Sequence, residues 1–412
     1  MVKKFTSVGL DIGSSKVAVC IAGTTENKTI DIIGVGKAVS NGVRKGMIID
    51  IEETVSSISA ALEQAEKALE FQIASVVVGI NDAHITSEAS KGMIAVAKSD
   101  GEITGADAIR AIEAARSVPN QPNREVLHVI PKTFSIDGQE GIADPVGMSG
   151  IRLEVDTNII SGSLSVIKNI NRCIDQSGLS VADMVFSPLA TAKLILTRQQ
   201  REIGVILVDI GAGTTSYAVF EEGDLIHSRV LPIGSGHITS DIAIGLRTNI
   251  NLAEIIKIKY GYASPDKIDE KEEIDLSKLD RSESNKANVK YIAEIIEARL
   301  NEILMLIRDD LRSINREGML PAGVVLTGGG AKLSGISEMV KDVLRLPATI
   351  GKAEIELSGV VDNISDPVYA TSAGLALWGI ESGNVSVGKR IAGPEIGGIV
   401  EKIRSTFRHF LP

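Results

Sequence analysis

The chain has 412 residues, enough for two or more domains at roughly 100–200 residues each. Its 44% hydrophobic and 23% charged residues suit a soluble globular protein, and no run of about 18 apolar residues is present to span a bilayer. A net charge of −10 argues against general nucleic-acid binding, which needs a basic footprint. Cys20 and Cys173 fit no disulfide or metal spacing, and the first residues run into an apolar motif without a signal-like segment, so a reducing cytoplasm is expected.

In chain order, residues 5–36 read as strands. Within them Gly9–Ile21 (GLDIGSSKVAVCI) has an apolar run, Asp-Ile-Gly, small hydroxylated residues and a second apolar run, the pattern of a hairpin with a tight turn. A helix is expected over Thr54–Leu69 and a buried strand over Ile73–Ile80. Residues 82–160 break the pattern. A helix over Thr104–Ser117 lies among short strands at Val126–Ile130, Lys132–Ile136 and Ile151–Asn158, separated by Pro119-Asn120, Asp137-Gly138 and Asp144-Pro145 turns. This block reads as an inserted α+β subdomain.

A helix over Val166–Ser177, a strand over Val181–Phe186 and a helix opened by Ser187-Pro188 and reaching Thr197 follow. Leu207–Phe220 (LVDIGAGTTSYAVF) then repeats the first motif almost word for word. Residues 236–262 read as helical, and 264–286 as a solvated loop or short polar hairpin. A long amphipathic helix over 288–316 carries Ile292, Ile295, Ile296, Leu300, Ile303, Leu306, Ile307, Leu311 and Ile314 on its apolar stripe. Gly323–Gly330 (GVVLTGGG) is a third glycine-rich strand end, followed by helices near Ile336–Leu344 and Val368–Ile380.

An aspartate at the end of a buried strand, followed by Gly and Ser/Thr, suits a metal-phosphate site. Glycines let backbone N–H groups approach phosphate oxygens, and the carboxylate faces Mg²⁺ or its waters. Two copies of that motif point to two similar lobes closing on one nucleotide. The Gly328-Gly329-Gly330 turn, bare of side chains, lets a flat ring or ribose lie against backbone.

Five segments in order resemble the nucleotide-site motifs of the actin/Hsp70/sugar-kinase superfamily. They are DIGSSK (phosphate 1), SPLATAKLIL (connect 1), GVILVDIGAGTTSYAVF (phosphate 2), VVLTGGGAKLSGI (adenosine) and PVYATSAGLAL (connect 2). Within it, the insert segments LHVIPKTFSIDG and PVGMSGIRLEV, the stretch RVLPIGSGHITSDIA, ARLNEIL in the long helix and the basic amphipathic C-terminus are similar to the FtsA family of bacterial cell-division proteins. The resemblance covers essentially the whole chain. It implies an α/β, actin-like (ribonuclease H-like) two-lobed fold with a nucleotide cleft and an inserted α+β subdomain. The implied divisions are 1–81 with 161–200 and 360–380 (first lobe), 82–160 (insert), 201–227 with 299–359 (second-lobe core) and 228–298 (its small subdomain).

The resemblance also implies site residues. Asp11 and Asp209 face Mg²⁺ from the two lobes. Gly13, Ser14, Ser15 and Lys16 hold ATP phosphates on one side, and Gly211, Ala212, Gly213 and Thr214 on the other. Gly328, Gly329 and Gly330 lie under the adenosine, and Glu254 and Lys257 contact ribose or adenine. No residue is assigned as catalytic. Ser187 stands where relatives in the superfamily usually carry a water-orienting carboxylate, and a hydroxyl is a far poorer base, so ATP binding with slow hydrolysis is expected.

Residues 381–398 are glycine-rich and read as a linker. Beyond it, Ile399, Val400, Ile403, Phe407, Phe410 and Leu411 make an apolar side of a helix over 399–412, with Lys402, Arg404 and Arg408 flanking it. That pattern suits an anionic inner-membrane surface. The family resemblance adds the other partners: self-association into filaments, an FtsZ C-terminal peptide near Arg299 and Glu302, and further division proteins at the cytoplasmic face of the division site. Two alternatives stay open. PilM-like pilus-assembly proteins share the fold and insert but lack the terminal helix, and small-molecule kinases need a catalytic aspartate that is not evident here.

Overall fold

Two sheets of the same strand order organise the chain in this computed structural model, which describes residues 6–383 apart from 26–28, 68–71, 118–121, 282, 284 and 361–363. In the first sheet, Thr6–Ile12 pairs antiparallel with Lys16–Thr24, and that strand pairs antiparallel with Ile30–Val39. On its other side Thr6–Ile12 runs parallel to Ser75–Ile80, which runs parallel to Ser180–Phe186. The second sheet repeats this arrangement. Val205–Ile210 pairs antiparallel with Thr215–Glu221, followed by Asp224–Leu231, and parallel with Val324–Thr327, followed by Ala348–Ile350. The first sheet gains a sixth strand, Leu357–Gly359, beside Ile30–Val39. Both central strands are apolar because both faces are covered: Val8, Leu10, Ile206 and Val208 are buried.

Close backbone packing fixes the helices on these sheets. The helix Ile51–Glu66 is capped by Asp50, whose carboxylate accepts from the Glu53 N–H at 3.0 Å. It crosses the first sheet so closely that a Cβ at Gly36 would lie 2.0 Å from the Ala61 carbonyl oxygen. The helix Ala370–Glu381 lies across Thr6–Ile12 in the same way.

The insert is a four-stranded sheet in the order Thr86–Ala95, Arg152–Ser163, Arg124–Ile136, Gln139–Ile142, with its own core around Ile112, Phe134, Leu153 and Val155. The helix Gly105–Arg116 packs against it, closed by a Thr104–Asp107 capping box. Two strands expected at Val126–Ile130 and Lys132–Ile136 are one continuous strand. Pro131 sits at a register shift opposite Thr157, where a residue without an N–H does least harm to the ladder. Thr86–Ala95 and Gln139–Ile142 were not expected. Both are edge strands with one buried residue each, so they lack an apolar run. Asp137-Gly138 makes its turn with φ of 48° and 91°.

Other segments refine the expected pattern. The stretch 236–262 is two helices, Ser235–Leu246 and Ile250–Tyr260, because Arg247 adopts φ 55° and Asn249 caps the second helix. The helix opened by Ser187 ends at Ile195, and Thr197 caps a further short helix, Arg198–Ile203. Residues 264–286 include one strand of a polar hairpin, Glu273–Asp275 with Lys286–Asn288. The long helix is Val289–Ser313, running unbroken through the 298/299 division. On its expected stripe Leu306 is 40% exposed, while Leu300 is 1% exposed. The Pro119-Asn120 turn, Leu69, most of the linker and every tail residue (Ile399, Val400, Lys402, Ile403, Arg404, Phe407, Arg408, Phe410 and Leu411) lie outside the described residues. No helix among the described residues is long and apolar enough to cross a membrane.

Candidate nucleotide cleft

The two Asp-Ile-Gly turns meet. Each is closed by an equivalent backbone bond: the Gly13 N–H donates to the Lys16 carbonyl and the Gly211 N–H to the Thr214 carbonyl, both at 2.9 Å. A Cβ at Gly213 would lie 2.4 Å from Ser14 Oγ, so only glycine permits this approach of one lobe's turn to the other's. Asp11 ends its strand beside Lys16, whose Nζ is 3.5 Å from Asp11 Oδ2. Asp209 ends the equivalent strand and accepts a hydrogen bond from Thr371 Oγ1 at 3.3 Å. Burial and the nearby Asp11 push the Asp209 carboxyl up to about 6, against the pull of Lys16 and the Thr371 bond. Two carboxylates and one ammonium therefore converge where the lobes join.

Other elements wall the same place. Gly328 holds φ at 81°, and a Cβ there would strike Asp209 Oδ1 at 2.2 Å; one at Gly330 would strike Ile210 Cγ2 at 2.4 Å. Gly329 by contrast faces open space out to Val368 Cγ2 at 4.0 Å. The helix Ser235–Leu246 starts on the second turn, with the Ser235 N–H donating to the Gly211 carbonyl at 2.8 Å and the Gly236 N–H to the Ala212 carbonyl at 2.9 Å. Its positive N-terminal end thus lies beside the turn. Lys257 is buried and joins that helix start: its Nζ is 2.8 Å from Thr239 Oγ1, 3.2 Å from the Ser235 carbonyl and 2.7 Å from Glu254 Oε2.

One wall was not anticipated. The small hairpin Val43–Arg44/Met47–Ile48 turns at Lys45-Gly46, both in the left-handed region, and the Gly46 N–H donates to Ser14 Oγ at 3.0 Å. The Lys45 nitrogen would lie 2.9 Å from a Cβ at Gly213. The Ser15 carbonyl accepts from the Ser40 N–H at 3.1 Å, tying the preceding loop to the same turn. The sequence cue was Lys-Gly between Val43-Arg44 and Met47-Ile48, too short to read as a hairpin alone. Asn81, at the end of a first-lobe strand, donates to Ser216 Oγ of the second lobe at 3.2 Å.

Ser187 is 1% exposed, with its Oγ 2.7 Å from where a Cβ on Gly79 would sit, so its hydroxyl is shut inside the packing. Arg299 and Glu302 form their own ion-pair group. Arg299 grips Asp241 through Nε at 2.6 Å and Nη2 at 2.9 Å and also donates to Glu302.

Known proteins share both the sequence and the architecture. The family model for Cell division protein FtsA matches residues 206–374, and that for the SHS2 domain inserted in FTSA matches residues 82–161. The chain is 36% identical over 386 residues to the Cell division protein FtsA of Pseudomonas aeruginosa, covering 94% of this chain and 92% of that protein. It is 37% identical over 390 residues to that of Bacillus subtilis (95% and 86% covered) and 34% over 411 residues to that of Escherichia coli K12 (97% of both). Among solved structures, the PilM-PilN type IV pilus biogenesis complex aligns at TM-score 0.67 with 17% identity, over 91% of this chain and 98% of that one. MreB5 of Spiroplasma citri bound to ADP aligns at TM-score 0.53 with 14% identity, over 91% and 96%. These structural likenesses speak for an actin-like fold, and the sequence identity names the family. With its duplicated sheets, its inserted subdomain and this identity over nearly its whole length, the chain belongs to the family of the cell division protein FtsA.

Proposed function

We propose that this is an ATP-dependent assembly protein that links FtsZ filaments to the cytoplasmic face of the membrane at the division site. The observation that carries the nucleotide reading is the convergence of Asp11, Lys16 and Asp209 between two glycine turns. Unligated, two carboxylates facing one ammonium there are poorly compensated, and a divalent cation with phosphate oxygens would balance them. No group of three His, Cys, Asp or Glu able to hold a metal occurs among the described residues. Two carboxylates suffice for Mg²⁺ only when phosphates and waters complete its shell, which fits a nucleotide-borne metal. In this reading Asp11 and Asp209 would hold Mg²⁺. The turns at Gly13–Lys16 and Gly211–Thr214 would cradle the phosphates, Gly328–Gly330 would lie under the adenosine, and Glu254 and Lys257 would face the ribose.

The chain's own residues bind and orient more than they catalyse. Ser187 is shut into the packing and carries no charge, so it offers no base to a water molecule. Hydrolysis is therefore slow, and ATP acts as a latch that holds the lobes in an assembly-competent pose. The inserted subdomain is the proposed face toward the next protomer. The basic amphipathic tail 399–412 is the proposed membrane contact, weak as one copy and strengthened by avidity in a filament. The helical face bearing Arg299 and Glu302 is the proposed seat of the FtsZ peptide.

Pull-down with an FtsZ C-terminal peptide, with and without Mg·ATP, tests the partner; absence of capture in both conditions refutes it. Co-sedimentation with anionic liposomes tests the tail: wild type pellets and Phe407→Glu does not, and equal pelleting refutes the membrane role.

A further inference from the structure

The two lobe-connecting helices share a hydrogen-bond chain that ends on the cleft. Thr371, near the start of Ala370–Glu381, donates to Asp209 Oδ2 at 3.3 Å. Its Oγ1 is also 3.1 Å from Thr191 Oγ1, on the helix Ser187–Ile195. Thr191 Oγ1 lies 2.9 Å from the Ser187 carbonyl oxygen, one turn back. All three residues are buried or nearly so: Thr191 is 0%, Thr371 6% and Ser187 1% exposed. The helices are in backbone contact here, since a Cβ at Gly374 would sit 2.2 Å from the Ala190 carbonyl oxygen. The helix bearing Thr371 also presses on the strand bearing Asp11, where a Cβ at Gly9 would sit 2.0 Å from the Ser372 carbonyl oxygen.

We propose that Thr371 and Thr191 are positioning residues whose hydroxyl chain couples the charge facing Asp209 to the seating of the two connecting helices. The reason is a count of protons. The chain has three links, Asp209–Thr371, Thr371–Thr191 and Thr191–Ser187 carbonyl. Each hydroxyl supplies one proton, and an ionised carboxylate supplies none. With Asp209 ionised, one link is always unfilled. When Asp209 faces little positive charge, it holds the Thr371 proton. When positive charge faces Asp209, that demand falls and the Thr371 proton turns to Thr191, while the Thr191 proton stays on the Ser187 carbonyl. The unfilled link moves from between the two helices to the Asp209 end of the chain. In a buried site an unmade hydrogen bond is costly, so its location biases how the helices sit.

This inference rests on the nucleotide reading of the cleft. The test uses the full chain and the non-hydrolysable Mg·AMP-PNP as probe. Trp378, the chain's one tryptophan, lies two turns after Thr371 on the same helix, with its indole N–H donating to Asp183 Oδ2 at 3.2 Å, and its fluorescence reads the seating of that helix. In wild type, titration gives calorimetric binding together with a change in tryptophan emission. Thr371→Val, which keeps the shape and removes the hydroxyl, binds about five-fold more tightly, because the bond it removes from the charged carboxylate is made only in the ligand-free chain and outweighs the neutral bond it removes from the bound form, and it loses the emission change. Thr371→Ser restores both. Thr191→Val keeps affinity within about two-fold but loses the emission change, because it cuts the chain beyond Asp209. Wild-type binding with an unaltered Thr371→Val response, or a serine variant that rescues neither signal, overturns the hydroxyl chain alone. A wild type that binds no nucleotide overturns the cleft reading and this inference with it.

Discussion

A Cβ at Gly328 would lie 2.2 Å from Asp209 Oδ1, on a backbone already at φ 81°. Gly328→Ala is therefore expected to push the Asp209 carboxylate off its site, weakening Mg·ATP by more than about ten-fold, and to cost about 1–3 kcal/mol of stability through backbone strain. Calorimetry and urea melts read the two effects separately, and unchanged binding would falsify the proposed role of this glycine. Asp224 supplies a different single-residue prediction. Burial pushes its carboxyl from the ordinary 3.8 up to about 6, although Lys132 of the insert pulls the other way. Because the folded form binds its proton more tightly, this group's contribution is fully present below 3.8 and is lost as pH rises through about 6. Asp224→Asn should flatten that decline by on the order of 2 kcal/mol between pH 4 and pH 8. Parallel pH profiles of wild type and variant in urea melts would count against it.

Helix Val289–Ser313 shows what an element's pattern carries and where it stops. Its stripe was readable from the 3–4 spacing of its isoleucines and leucines, and Leu300 is 1% exposed in the second lobe's core. Leu306 belongs to the same pattern yet is 40% exposed, because a stripe read on a wheel is wider than the surface available to cover it. Leu300→Ala should cost about 2–5 kcal/mol and Leu306→Ala under about 0.5 kcal/mol, measured as shifts of the urea midpoint. Equal shifts would mean that the burial is wrong. The same limit explains the missed strands. Thr86–Ala95 (TSEASKGMIA) is an edge strand whose side chains are mostly half-exposed, so selection for apolar alternation is weak there. The break at Arg247 has a local cue in the Asn249 cap, but only the positive φ ends the first helix.

At the scale of the whole molecule, the proposed cleft draws on both lobes, so nucleotide binding there would be coupled to stability. At about 100 times its dissociation constant, Mg·ATP should raise stability by about 2.7 kcal/mol. Asp209→Asn is expected to raise the stability of the ligand-free chain, since it removes a buried charge beside Asp11, while abolishing the nucleotide's increment. Thermal melts with and without nucleotide check both halves, and an undiminished increment in the variant would remove Asp209 from the site. By itself the sequence determined the number of lobes, the two Asp-Ile-Gly hairpins, the insert and the family. Those rest on local patterns: apolar runs, glycine turns and a duplicated motif, all set by backbone and burial within a few dozen residues. Only the tertiary structure decided which residues meet where the lobes join. The Lys45-Gly46 turn against Ser14, the Asn81–Ser216 link, the shut-in Ser187 and the Thr191–Thr371–Asp209 chain join positions far apart in the chain. Such juxtapositions depend on how two sheets and two helices pack, and hydroxyls and amides placed by packing leave no periodicity in a sequence.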